Sequence, residues 1–476
     1  MNGAAAPERC LWAPRAWLDD GWSDDVLLRI GDDGRWQEVS AGVATPPADA
    51  TRLRGPVLPG LVDAHSHAFQ RAFAGLAERR EAGSAHDDFW SWRERMYAVA
   101  QRITPDLLRA IAAHLFVELL EGGYTQVCEF HYLQHRPDGS GYADDPLALS
   151  WALADAAEES GIGLTVLPVL YERAGFDGAA LLPEQRRFSL DADAVWNACR
   201  RIAAAGSSRV EAGLAIHSLR AAAPASIERL RDLAEGFDGP IHIHVAEQAR
   251  EVQECLDSTG LRPVEWLASR TGLLDPRWQL VHATHVTPAE IDAMAAVGAG
   301  VVVCPSTEAN LGDGITDLRR WLDANDGAVR LSIGSDSNVT RSAAEELRWL
   351  EYGQRLLRHE RNVAAGAERG RHQSSSAGRL WRRVVEGGTF ARGGGGPAGI
   401  VPGARADLLV VDPLDPGLRG VPQAHLLDAL VFSSPGAAWR DVMVGGHWAL
   451  RDGEHVRKAA IADRFEGAMN ALWSGS

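Results

Sequence analysis

The chain has 476 residues, 46% of them hydrophobic and 24% charged, with 64 acidic against 48 basic side chains and a net charge of −16. That length exceeds one ordinary core, and the composition is that of a folded globular protein. The acidic balance disfavours nucleic acid, whose phosphates call for a concentrated positive surface, and no stretch reaches the ~18 uncharged apolar residues of a membrane span.

In chain order, the first 57 residues read as strands. DVLLRIGDDGRWQEV (residues 25–39) gives two short β runs around a DDG turn. From residue 56 to about residue 390, short apolar runs alternate with long amphipathic segments. The runs are GPVLPGLVDAH, TQVCEFHY, GLTVLPVLY, EAGLAIHS, PIHIHVAE, WQLVHATH, GVVVCPS and VRLSIGSDS. Helical patterns such as PDLLRAIAAHLFVELLEGG and AAEELRWLEYGQRLL lie between them. Eight apolar runs alternating with helices predict a (β/α)8 barrel. The polar, Ser-rich ERGRHQSSSAGRL (368–380) reads as surface, and ARGGGGPAG (391–399) as a linker. RADLLVVDP then reads as a buried strand, VMVGGHWALRDGEHV as a hairpin about Asp452-Gly453, and the segment from about Ala459 to Trp473 as a helix. The expected organisation is α/β. Residues 57–395 form the barrel, and residues 1–56 and 396–476 join into a small β-sandwich domain, with the terminal helix in the second piece.

Cysteine usage bounds the compartment. The five cysteines, at positions 10, 128, 199, 255 and 304, are odd in number and form no CxxC, which points to a reducing environment. MNGAAAPERCLWAPRAW lacks the basic-then-apolar order of a secretory signal. A cytoplasmic protein is expected, with neither membrane nor nucleic acid as partner.

The chemistry-bearing residues cluster at the carboxyl ends of the expected strands, where barrel enzymes carry their sites. His65 and His67 follow the first run, and residues two apart on a strand point the same way. His244 ends PIHIH, His282 ends QLVH and Asp336 ends VRLSIGSD. Three imidazoles and a carboxylate suit zinc or another borderline divalent ion. Alternation alone does not separate His244 from His242, which would face the same side. Glu247 stands just past the His244 strand, within reach of a substrate at a metal, with Glu129 as a competitor.

LPGLVDAHSH, HVAE, LVHATH and IGSDS together resemble the amidohydrolase superfamily, in its one-metal deaminase branch. A narrower resemblance, to the formimidoylglutamate deiminase family, rests on HSHAFQRAFAGLAE, DDFWSWRERMY, EFHYLQH, HSLRA, HVAEQ, CPSTEANLGDGI and SDSNVTRSAAEELRWLEYGQRL. It implies hydrolytic deimination of N-formimino-L-glutamate to N-formyl-L-glutamate and ammonia, in L-histidine degradation. It also implies one zinc ion held by His65, His67, His244 and Asp336, with Fe2+ or Mn2+ as alternatives. Glu247 and His282, with Asp336, would work with the metal's water. Gln70, Arg93, Tyr132, His217 and Arg220 would hold the glutamate part of a dicarboxylate substrate. Arg79, Arg80 and Arg95 compete with Arg93, and a homodimer is implied. The residue chemistry agrees, because guanidinium forks match carboxylates. Two other readings stay open: a related deaminase acting on a nucleobase or triazine ring, and a catalytically silent barrel that serves as a binding protein.

Overall fold

The computed structural model describes residues 8–19, 21–80, 87–324, 328–366, 374–393, 395–436 and 439–474. All eight apolar runs form strands. In order they are Leu61–Ser66, Tyr124–His131, Gly163–Leu170, Val210–Ala212 continued by Leu214–Ile216, Ile241–Val245, Trp278–His282, Gly300–Val303 and Arg330–Ile333. They pair in parallel, and pairings of the first strand with the eighth and of the third with the fourth close the ring. Every residue of Tyr124–His131 and Gly163–Leu170 is buried, as expected for strands covered on both faces. The long amphipathic segments become helices Pro105–Glu121 and Ala343–Arg358.

The closure of the ring sets the site. Ile333 pairs with Asp63, and Ser66 bridges Asp336. Gly334 makes this approach possible: a Cβ there would lie 2.7 Å from both the Cβ and the carbonyl oxygen of His65. The Asp336 N–H donates to the His65 carbonyl at 2.8 Å, and the His67 N–H donates to the Asp336 carbonyl at 3.0 Å. Asp63, fully buried, accepts from the Ser335 N–H at 2.9 Å and the Ser335 hydroxyl at 2.5 Å.

The chain ends share a second sheet. Val57–Leu58 lies antiparallel to Leu408–Val411, and Val57 pairs in parallel with Ala16 of Cys10–Leu18. Its sides have a core of their own, including Leu11, Val26, Trp36, Leu408 and Met443. The turn at Gly34 meets the turn at Gly445, so the sheet bends back over that core. The run GPVLPGLVDAH, expected as one strand, is two. Val57–Leu58 belongs to the flanking sheet and Leu61–Ser66 to the barrel. Pro59 between them has no N–H to continue a ladder. VMVGGHWALRDGEHV holds two hairpins rather than one, turning at Gly445-Gly446 and again at Asp452-Gly453.

The terminal helix, Lys458–Trp473, lies on the barrel and not on the sheet it was grouped with. Phe465 stacks on His114 of Pro105–Glu121 at 4.1 Å, and the Trp473 indole N–H donates to the Ala72 carbonyl at 3.2 Å. Of the polar stretch 368–380, residues 368–373 lie outside the described residues. The rest starts a helix, Ser376–Ala391, capped by the Ser375 hydroxyl, which accepts from the Gly378 N–H at 2.9 Å. All five cysteines are buried and unpaired. Among the described residues, no helix is long and apolar enough to cross a membrane.

Candidate active site

Four strand ends deliver the imidazoles and the carboxylate to one point. Left-handed backbone turns the chain just there: φ is +68° at His282, +47° at Asp336 and +50° at Ala246, the residue before Glu247. Such a conformation costs a non-glycine residue about 1–2 kcal/mol and is retained where the surroundings over-determine it. The effect is to aim His282, Glu247 and Asp336 inward at the strand tips.

The distances are short. His65 Nε2 and His67 Nε2 each lie 3.3 Å from Asp336 Oδ1, and His65 Nε2 lies 3.0 Å from His244 Nε2. In the trios His65–His67–His244 and His65–His282–Asp336, one donor atom per residue lies within 4.8 Å of the other two. The Nδ1 atoms of His67 and His244 are occupied by the carbonyls of Phe130 and His217, each at 3.0 Å. That bond fixes the tautomer with Nδ1 protonated and turns a bare Nε2 inward, the arrangement of a metal-binding histidine. Burial pushes the His65 imidazole down to about 4 and His67 to about 3, and lowers His244 strongly, so all three are neutral at pH 7. Asp336 is held below the usual carboxylate range: burial opposes its charge, but the bond to His65 and the other imidazoles prevail. Buried neutral imidazoles whose Nε2 atoms approach to 3.0 Å beside a carboxylate are a group that could hold a cation.

His242 points to the same side but lies outside the group: its Nε2 bonds to the Ala391 carbonyl at 2.7 Å, whereas His244 Nε2 meets His65. Glu129 is also outside the group, its carboxylate accepting from the Ala68 N–H at 2.7 Å beneath the His67 loop. Glu247 stands beside the cluster, its Oε1 3.8 Å from His282 Nε2. His282 Nε2 lies equally far, 3.8 Å, from Asp336 Oδ2. Burial pushes the Glu247 carboxyl up to about 7, against the pull of His282.

A cavity of about 620 Å³ opens on this cluster, the size of small-molecule sites. Gln70, Arg93, Tyr132, His217 and Arg220 all line it. The Gln70 amide donates to the Tyr132 hydroxyl at 3.0 Å, and the His217 ring lies 5.2 Å from His244. Arg93 and Arg220 carry their Cζ atoms 4.5 and 5.7 Å from the Trp90 ring, and the buried Nε of each has no hydrogen-bond partner. Burial works against the Arg220 charge, but the carboxylates of Glu251 and Glu247 raise its pKa on balance. The competing arginines lie elsewhere. Arg79 and Arg80 are exposed, and Arg95 pairs with Asp87 at 3.2 Å.

Residues 57–449 match the amidohydrolase family. The chain belongs to that family. Within it, the chain is 45% identical to the formimidoylglutamate deiminase of Pseudomonas aeruginosa, over 97% of this chain and 99% of that protein. Among solved structures, an amidohydrolase from Brucella melitensis superposes with a TM-score of 0.88 at 38% identity, covering 98% of this chain and 99% of that one. An adenosine deaminase from Xanthomonas campestris, solved with bound zinc, shares the fold: TM-score 0.77, 22% identity, 98% coverage of both chains.

Sequence reasoning about this amidohydrolase missed three neighbours of the site. Arg250, on helix Ala249–Thr259, places its Cζ 4.3 Å from the Trp90 ring. Glu308 receives His282 Nδ1 at 3.3 Å. Asp313, whose Oδ2 is buried without a partner, holds the Gln248 amide. Glu308 and Asp313 both sit in CPSTEANLGDGI, a stretch that stood out without a role. Its position just past the seventh strand was the available signal.

Proposed function

We propose that this amidohydrolase is a metal-dependent formimidoylglutamate deiminase, hydrolysing N-formimino-L-glutamate to N-formyl-L-glutamate and ammonia in L-histidine degradation. The observation that carries the reading is the near full-length likeness to the Pseudomonas enzyme of that name. The polarity of the cavity supports it. The imidazoles, Glu247 and Asp336 gather at the strand tips, while Arg93 and Arg220, whose buried Nε donors have no partner, meet at the Trp90 ring. A substrate with a formimino group at one end and two carboxylates at the other fits that division.

His65, His67, His244 and Asp336 would hold the metal, and zinc suits three neutral imidazoles with one carboxylate, although iron and manganese accept the same set. When bound, zinc supplies the Lewis acidity that makes water a nucleophile near neutral pH. The remaining work falls to the protein. His282 and Asp336 orient the water and take up its proton. Glu247, poised near neutrality by burial, passes a proton to the departing nitrogen. Water adds its oxygen to the formimino carbon, the carbon–nitrogen bond to the terminal nitrogen breaks, and that nitrogen leaves as ammonia. Arg93 and Arg220 bind the carboxylates, with Gln70, Tyr132 and His217 lining the path between. We place the enzyme in the cytoplasm as a homodimer, on its cysteine usage and family.

A nucleobase deaminase would have no use for a carboxylate clamp. Ammonia release from N-formimino-L-glutamate by metal-loaded protein, with adenine, guanine and cytosine as controls, tests the reading. Turnover of the formimino substrate alone is expected, and turnover of a nucleobase instead would overturn it. Absence of stoichiometric metal from protein purified in metal-supplemented medium would leave the silent-barrel reading.

A further inference from the structure

Glu308 lies five residues past the end of the seventh barrel strand, on the short helix Pro305–Leu311, and its carboxylate is buried. One oxygen, Oε1, accepts from the Cys304 backbone N–H at 2.9 Å and meets His282 Nδ1 at 3.3 Å. The other ring nitrogen, His282 Nε2, faces Glu247 and Asp336. A carboxylate, an imidazole and a reacting group therefore stand in line, as in other sites where an acid sets the tautomer and orientation of a working histidine.

The segment carrying Glu308 is braced on several sides. The Thr307 hydroxyl donates to the Ser335 carbonyl at 3.2 Å, in the turn after the eighth strand that carries Asp336. The Ser306 N–H donates to Glu346 at 2.9 Å, and the Asp313 N–H to the Glu308 carbonyl at 2.9 Å. This backbone holds Glu308 at a fixed distance from a ring that three carboxylates surround.

We propose that Glu308 is a positioning residue for this reaction: it holds His282 with Nδ1 protonated, so that Nε2 is the nitrogen presented to the water. The proposal deepens the reading of the site given above and rests on it for substrate. Glu308 touches neither the metal position nor the substrate cavity, and it acts only through His282.

The test is a double-mutant cycle on the full-length, metal-loaded protein, with turnover of N-formimino-L-glutamate and metal content measured for each variant. Glu308→Gln, nearly isosteric, is expected to keep its metal and its KM while kcat falls about 10- to 100-fold. In a His282→Asn background the same change is expected to move kcat by less than about twofold, because its only route of action is gone. An equal fall in both backgrounds would overturn the proposal. A readout independent of turnover accompanies the cycle. In histidine-labelled protein, nitrogen-15 NMR is expected to find a His282 Nδ1 proton far downfield, bonded to a carboxylate, and to find it moved upfield in Glu308→Gln. An unmoved signal would also overturn the proposal. If wild-type protein leaves N-formimino-L-glutamate intact, the substrate assignment falls while the NMR comparison still decides the role of Glu308.

Discussion

The two ends of the cavity are built in different ways. At the metal end, every group comes from a strand tip, and the backbone around it is bonded to neighbouring strands. His67 and His244 are pinned through Nδ1 to main-chain carbonyls, and Asp336 is locked to the His65 strand through its own amide. At the far end the groups come from helices and loops. Arg93 is on helix Phe89–Ala100, Arg220 in the turn after the fourth strand and Arg250 on helix Ala249–Thr259, and they gather around one indole, that of Trp90. The first end is preorganised, as stabilisation of developing charge requires. The second relies on side chains that share one aromatic face, with the buried Nε atoms of Arg93 and Arg220 left without hydrogen-bond partners.

Changes at the metal end are therefore expected to abolish chemistry, and changes at the arginine end to weaken binding. The largest effect belongs to Asp336→Ala, which removes the carboxylate of the ligand set. Metal analysis is expected to find bound metal largely lost and turnover at background, and full metal content would break the assignment. Next, Glu247→Gln is expected to retain metal while kcat falls about 10²- to 10⁴-fold, the range of a lost proton-transfer group. Activity near that of the parent would remove Glu247 from the proton path. Third, Arg220→Met is expected to act on KM first. Truncating one partner of a buried charge pair costs about 2–5 kcal/mol, and a steady-state comparison in which kcat alone changed would contradict the clamp. The smallest effect is expected for Trp90→Leu. A cation–π contact is worth about 0.5–2 kcal/mol, so KM should rise several-fold with kcat little altered. An unchanged KM would mean that the three guanidinium groups are held independently of the indole.

The same division explains what could be read in advance. Strand periodicity and the parity of HxH carry the metal end directly: His65, His67, His244, His282 and Asp336 were placed by counting along apolar runs, and the barrel followed from their alternation with helices. The eight strands form where the runs were, because a strand buried on both faces has a near-continuous apolar signature. Parity could not separate His242 from His244, since both point inward and only depth along the strand differs. The arginine end has no such code. Arg93 was one of four arginines within a short stretch, and only the packing of Phe89–Ala100 decides which of them meets Trp90. Arg250 lies three residues past Glu247 on a helix, and no strand-end pattern singles it out. Glu308 was invisible for a different reason. Its partner, His282 Nδ1, is 26 residues away, and no local pattern announces a pairing across two strand ends. Pro59 marked a break inside an apolar run, and that signal was present in the sequence but was absorbed into one long strand.

That break has a consequence for how the molecule comes into being. Val57–Leu58 completes its ladder only with Leu408–Val411, and the strand holding His65 and His67 is closed only by the segment ending in Asp336. Both partners of the amino-terminal region are synthesised long after it. A ribosome must release most of the chain before either the sheet or the ring can close, so the early segments, paired along one edge with near neighbours, wait with the other edge open. Topologies dominated by such distant pairings fold slowly, and exposed strand edges are open to the wrong partner in the interval. The joint at Pro59-Gly60 thus ties two late events together. Whichever closes first presents the other with an anchored strand, and the cluster of His65, His67 and Asp336 is among the last parts of the protein to exist.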